Sequence, residues 1–186
     1  MKGSENRQRI VKVALHLFNE RGYANTSIAD IAEQAGLLKG NLSYYFKTKA
    51  EMLECVTQAR KEELFGRLQL RLHPDASAQE ALEQFLQTVE ASAPELARIG
   101  CPVGSLCSEL GKDDPDLQPY AAHILEALRL WLQQQFCRIV PLTEAQNHAE
   151  YLLTLMQGAA VLAHAYRDSD LVLRRVAAAR AWLATI

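Results

Sequence analysis

The chain has 186 residues, 49% of them apolar and 23% charged, a globular composition that excludes disorder, collagen-like repeats and a disulfide-dense scaffold. Nine glycines and six prolines are too few for the tight turns of an all-β fold, and a chain rich in Leu, Ala, Glu, Gln and Arg favours helix. The net charge of −2 conceals an asymmetry: residues 1–50 carry eight Lys/Arg against four acids, leaving twelve bases against eighteen acids in the rest, which suits a polyanion-binding end on an acidic body.

Two further absences shape the expectations. The longest uncharged stretch, Tyr151 to Tyr166, has 16 residues and includes Thr154, Gln157 and His164, short of the roughly 18 to 20 apolar residues of a bilayer span, so no membrane partner is expected. The segment from Met1 to Arg7 runs into a charged amphipathic stretch with no apolar core of a signal peptide. A cytoplasmic chain is the expectation, with Cys55, Cys101, Cys107 and Cys137 as reduced thiols. No CxxC is present, and His123, His148 and His164 have no metal-ligand spacing, so neither metal nor cofactor is implied.

Along the chain, Ile10, Val13, Ala14, Leu17 and Phe18 form one apolar stripe of a first helix that stops at Arg21-Gly22. Ser27-Ile28-Ala29-Asp30 reads as a capping box opening a short second helix, with Ile28, Ile31, Ala32 and Ala35 inward and Gly36 at its end. A third helix follows after about three residues, with Leu38, Leu42, Tyr45 and Phe46 expected to face inward. Two short helices joined by so short a turn containing Gly form a helix-turn-helix signature. The outward residues Lys39, Gly40, Asn41, Ser43, Tyr44 and Lys47 are small, polar or cationic, which suits a helix laid against phosphates and base edges, though solvated lysines and a packed tyrosine would read the same.

The stretch from Thr26 to Leu53, with IA, AG, KG, YYF and KxE in fixed register, resembles the DNA-binding head of the TetR (tetracycline repressor) family. That resemblance implies an all-α chain: a three-helix head joined to a helical-bundle body that binds a ligand and dimerises, about nine helices in all. The expected division is a DNA-binding domain at 1–50 and a ligand-binding and dimerisation domain at 51–186. The implied function is a ligand- or thiol-responsive regulator, a repressor binding a palindromic double-stranded operator as a homodimer, and not an enzyme. Carried over residue by residue, the DNA-binding set is Ser27, Lys39, Gly40, Asn41, Ser43, Tyr44, Lys47 and Lys49, with Tyr44 and Lys49 on the backbone and positions 41 and 43 over base edges. Two positions depart from the family pattern. Leu38 stands where a Ser or Thr cap is frequent, and Ser43 where a Tyr is frequent, which leaves cap geometry and base contacts open.

Beyond the head, Thr48-Lys49-Ala50-Glu51 reads as a second capping box opening a long helix to about Leu72, with Leu53, Val56, Leu64 and Leu68 inward, and His73-Pro74-Asp75 as the clearest break. Ser77 to Ile99 reads as helix with a break near Pro94, Pro102 to Leu110 as a short helix ended by the loop at Gly111, and three helices follow over roughly 116–140, 143–167 and 169–184. For dimerisation, Ala149, Met156, Ala159 and Ala163 make a row of small residues beside Gly158 that suits either a seam between copies or an internal contact; the resemblance favours the seam, joined by Val176 and Trp182. Phe85, Val89, Leu106, Leu110, Leu128, Trp131, Tyr151 and Leu155 are candidates to line a pocket for a small apolar or electrophilic effector, or are plain core. Pro102 at the first position of a helix would put Cys101 at its cap, where unpaired N–H groups favour a thiolate; Cys101 and Cys107 are therefore reactive-thiol candidates, or else small buried hydrophobes. Two other functions stay open: a helical small-molecule or protein-binding module that never touches DNA, and a thiol-dependent enzyme, for which no Cys/His arrangement with an orienting carboxylate is visible.

Overall fold

A computed structural model of the chain describes residues 2–70 and 72–186, the side chains of Lys2 and Lys39 excepted. Among the described residues there are ten helices and no strand: α1 (Lys2–Arg21), α2 (Ile28–Gln34), α3 (Lys39–Tyr45), α4 (Lys49–Gln69), α5 (Ala78–Ala91), α6 (Ala93–Ile99), α7 (Pro102–Asp113), α8 (Gln118–Phe136), α9 (Leu142–Tyr166) and α10 (Ser169–Leu183). The break expected near Pro94 is real: α5 ends at Ala91, Ser92 is the cap between the two helices, and Pro94 sits in the first turn of α6, where a missing N–H is harmless. Gly111 does not stop α7, which continues to Asp113 before Pro115. No helix among the described residues is long and apolar enough to cross a membrane.

Side-chain caps set several helix starts. At α2 the Ser27 hydroxyl accepts the Asp30 N–H (3.1 Å) while the Asp30 carboxylate accepts the Ser27 N–H (2.7 Å), the reciprocal pair expected from sequence. Ser77 and Glu80 repeat it at α5. At α4 only half of the box forms as read. Thr48 Oγ1 accepts the Glu51 N–H at 3.0 Å, but the Glu51 carboxylate reaches one residue further back, to the Lys47 N–H at 2.8 Å.

The chain divides into two compact units, residues 1–63 with 105–124 and residues 64–104 with 125–186. The first is built on fully buried Ile10, Ala14, Ile31, Leu42, Met52 and Leu53, with Leu110 of α7 and Ala121 of α8 in the same core. The second is built on Leu82, Leu86, Leu132, Phe136, Leu152 and Val172. There Arg180 of α10 ties down α5, bonding both carboxylate oxygens of Glu83 at 3.0 Å and Glu90 at 2.5 Å. The hydrogen bonds it donates to both glutamates raise the guanidinium's pKa further above its already high value.

One sequence expectation needs correction here, and a second is narrowed. Leu38 does not face inward; it is 76% exposed, because the chain is still extended there and helical periodicity begins only at the next residue. Of the two readings of the small residues on α9, the internal contact is the one this chain makes. Ala149, Met156, Ala159 and Ala163, with Val176 of α10, are buried within this single chain, packed in the second unit's core. Small side chains let α9 lie close to α10 and α6 of the same unit, so the stripe is consumed internally. Trp182 is half-buried, its ring 4.8 Å from that of Tyr151 and 5.3 Å from that of His148.

Candidate nucleic-acid interface

The α2–α3 corner is made by backbone chemistry. Gly36 takes φ +66, a left-handed conformation that costs other residues more, and the Gly36 and Leu37 N–H groups close the end of α2 on Glu33 and Ala32 carbonyls. From there α3 presents two faces. Leu42 and Phe46 are buried beneath it, and half-buried Tyr45 accepts a hydrogen bond from the Asn6 amide of α1 at 3.0 Å, which fixes α3 on the first unit's core. On the other side Gly40, Asn41, Ser43, Tyr44 and Lys47 are all exposed, Tyr44 to 81%. A Cβ built on Gly40 would meet nothing within 4 Å, so internal packing does not demand glycine at that position. Lys47 Nζ donates to the Ser43 carbonyl at 3.1 Å. The Lys39 side chain lies outside the described residues.

Of the remaining expected DNA contacts, Ser27 is exposed and Lys49 is not. The Lys49 ammonium donates to the Tyr23 carbonyl and lies 4.0 Å above the Tyr23 ring, and burial of the charge lowers its pKa. Tyr23 belongs to a clamp that no sequence signal announced, since its other half is 86 residues away. The Glu109 carboxylate of α7 accepts the Tyr23 and Ala24 N–H groups at 2.9 and 2.6 Å. Gly22 has φ +86, a conformation that favours glycine, and a Cβ there would stand 3.0 Å from that carboxylate and press on the clamp. The Tyr23 hydroxyl in turn has its pKa raised by burial and then by Asp114 and Glu109.

The thiols are distributed differently from the expectation. Cys101 does precede the first residue of α7, and its Sγ accepts the Gly104 N–H at 3.4 Å, the bond of a capping residue. Cys107 is half-buried against the first unit's core. Sequence reasoning passed over Cys55, whose Sγ accepts from the Arg7 guanidinium at 2.9 Å. Of the expected ligand-lining set, Phe85, Val89, Leu128, Trp131 and Leu155 come together in the second unit's core, Leu106 and Leu110 pack in the first unit's, and Tyr151 is half exposed on α9. None of them lines either of two described depressions: one of about 280 Å³ among Leu82, Phe136, Ile139, Arg180 and Leu183, and one of about 1020 Å³ among Arg7, Lys12, Cys55, Tyr120 and His123.

Residues 10–56 match the pattern of "Bacterial regulatory proteins, tetR family", and residues 76–179, more than half of the chain, match "Transcriptional regulator LmrA/YxaF-like, C-terminal domain". The chain is a member of the TetR family. Similar relatives include the HTH-type transcriptional repressor KstR2 of Mycolicibacterium smegmatis, 36% identical over 97 residues, covering 52% of this chain and 47% of that one. The chain thus spans about half the length of this relative in the match. An uncharacterized HTH-type transcriptional regulator in the lacX 3'region of Lactococcus lactis subsp. lactis is 26% identical over 173 residues, 89% of this chain and 87% of that one. Among solved structures, a TetR transcriptional regulator from Chloroflexus aurantiacus J-10-FL shares the family fold at TM-score 0.84 and 24% identity, covering 98% of this chain and 96% of that one.

Proposed function

We propose that this TetR-family chain is an effector-responsive transcriptional repressor that binds a palindromic operator as a homodimer, with α3 in the major groove. The observation that carries the reading is the division of α3 into a face anchored by Leu42 and Phe46 and an opposite face whose Asn41, Ser43, Tyr44 and Lys47 have no core to enter. An asparagine side chain can bond adenine's N6 and N7 together, while hydroxyls and an ammonium suit phosphate oxygens and set register. Lys49 has a different part, because its ammonium already holds the Tyr23 carbonyl: it fixes the α1–α2 turn in front of α2.

The homodimer reading moves to the unburied sides of α9 and α10. Gly158, Val161, Leu162, Ala165 and Tyr166 are exposed at helical spacing, Val161 to 64% and Tyr166 to 67%, and Leu173, Ala177 and Ala181 continue on α10. An apolar stripe on the two C-terminal helices is what a second copy would cover. The effector, apolar or electrophilic, is assigned to the second unit's helices, with the capping thiol Cys101 as the candidate for a covalent response.

The test is to select duplexes from a randomised pool and measure affinities. Asn41→Ala is expected to lose preference at one base pair per half-site, about 1 to 3 kcal/mol for a bidentate contact. Binding that is blind to sequence, or a pool with no enriched duplex, would end the reading in favour of a helical module that does not recognise DNA.

A further inference from the structure

We propose that Leu38 is a specificity residue that reads the C5-methyl group of a thymine in the major groove, an inference that rests on the DNA-binding reading above. Leu38 occupies the position before α3 in extended backbone (φ −69, ψ 142), and no side chain there caps the helix. A Ser, Thr, Asp or Asn would supply that cap. The sequence instead places a branched aliphatic side chain there and leaves it 76% exposed, so a missing cap and a solvated leucine coincide at one position of the free chain. Covering the leucine in the complex would take that apolar surface out of water.

The neighbours say by what. Leu38, Asn41 and Tyr44 follow in steps of three along the start of α3, and Asn41 and Tyr44 are exposed with it. The space beyond Gly40 is open, which lets a partner approach the backbone there closely. Phosphates and most base-edge groups are polar; among the groups a base pair presents in the major groove, the thymine methyl is the apolar one. The Leu38 carbonyl accepts the Asn41 and Leu42 N–H groups at 2.9 and 3.3 Å, which sets Leu38 one turn before Asn41 at the mouth of α3, and with successive base pairs about 3.4 Å apart its side chain falls to a step beside the one that Asn41 reads. The half-site therefore carries a thymine next to the pair that Asn41 reads.

The experiment uses the full chain and a duplex enriched from a randomised pool. Each thymine is replaced in turn by deoxyuridine, which keeps the pairing and removes only the methyl group. Wild type is expected to lose about four-fold in affinity at one thymine of each half-site, the effect of uncovering one methyl-sized group. Leu38→Ala should bind all these duplexes alike at those positions. Leu38→Ser, which returns a capping hydroxyl, should raise the thermal midpoint and still lose the methyl dependence, a separation that a merely structural leucine would not give. A uracil profile identical in wild type and both variants, or an enriched half-site without thymine, overturns this inference while the DNA reading stands. A pool that yields no enriched duplex overturns both.

Discussion

At the scale of single residues, two lysines two positions apart do different work. Lys47 is exposed beside α3, whereas Lys49 is drawn over the face of the Tyr23 ring with its ammonium on the Tyr23 carbonyl. Both ammonium groups donate to a backbone carbonyl, but Lys47 does so at the exposed surface while Lys49 is also packed on a ring face, so on the proposed reading Lys47 is the one a phosphate can reach. Lys47→Ala is expected to weaken binding to all duplexes and to leave the thermal midpoint unchanged. The dependence of log affinity on log salt should flatten by about 0.9 for each phosphate that Lys47 neutralises. Lys49→Met should do the reverse, lowering the midpoint of the first unit with little change in salt slope. Affinity series over salt concentration, beside melting curves, separate the two. If Lys49→Met alone flattens the slope, Lys49 is a phosphate contact after all.

At the scale of elements, short helices depend on their caps, since seven residues cannot sustain α2 by propensity alone. Ser27→Ala is expected to cost about 0.5 to 2 kcal/mol of stability. The cap also makes stability depend on pH. The Ser27 hydroxyl and N–H hold Asp30 below the usual carboxyl pKa, the Ser77 N–H and hydroxyl do so for Glu80, and Arg174 does so for Asp168 at the start of α10. A carboxyl with a depressed pKa in the folded chain binds its proton more readily when unfolded. Its contribution is therefore complete above about pH 4, the unfolded value, and is lost as pH falls through the folded one. Thermal midpoints measured from about pH 7 down to about pH 3 should fall below about pH 4, and the fall should be smaller in Ser27→Ala, where the Asp30 interaction is already impaired. An unchanged slope would mean the capping box contributes nothing in solution.

At the scale of the whole molecule, α9 has two apolar faces with different fates. Its inner face, through Ala149, Ala159 and Ala163, is consumed in the second unit's own core; its outer face, through Val161, Leu162 and Tyr166, is not. Arginine substitutions tell them apart. Val161→Arg is expected to give a folded monomer by sedimentation, with sharply weakened operator binding, because the charge would be trapped between copies. Ala159→Arg should instead unfold the second unit, since the bulk and charge enter a filled core. A Val161→Arg protein that remains dimeric would place the interface elsewhere.

The sequence by itself determined what local chemistry decides: apolar spacing set the helices, Ser27 and Asp30 set the start of α2, Gly36 set the turn, and the register of residues 26–53 identified the head. These signals act within one or two helical turns, so they are legible without tertiary structure. The all-helical body was legible too, down to the break at Pro94. What only the tertiary structure decided is which of two apolar stripes faces its own chain. Composition cannot separate them, because a seam of alanines suits a neighbour from the same core as well as one from a second copy. The same holds for Lys49 and Leu38. Burial of a lysine depends on a tyrosine 26 residues earlier, and the exposure of a leucine depends on whether the chain has begun to coil at that residue. Glu109 is the extreme case: its two hydrogen bonds hold the turn in front of α2 from 85 and 86 residues away, a separation over which periodicity and motif carry no information and only the fold brings the groups together.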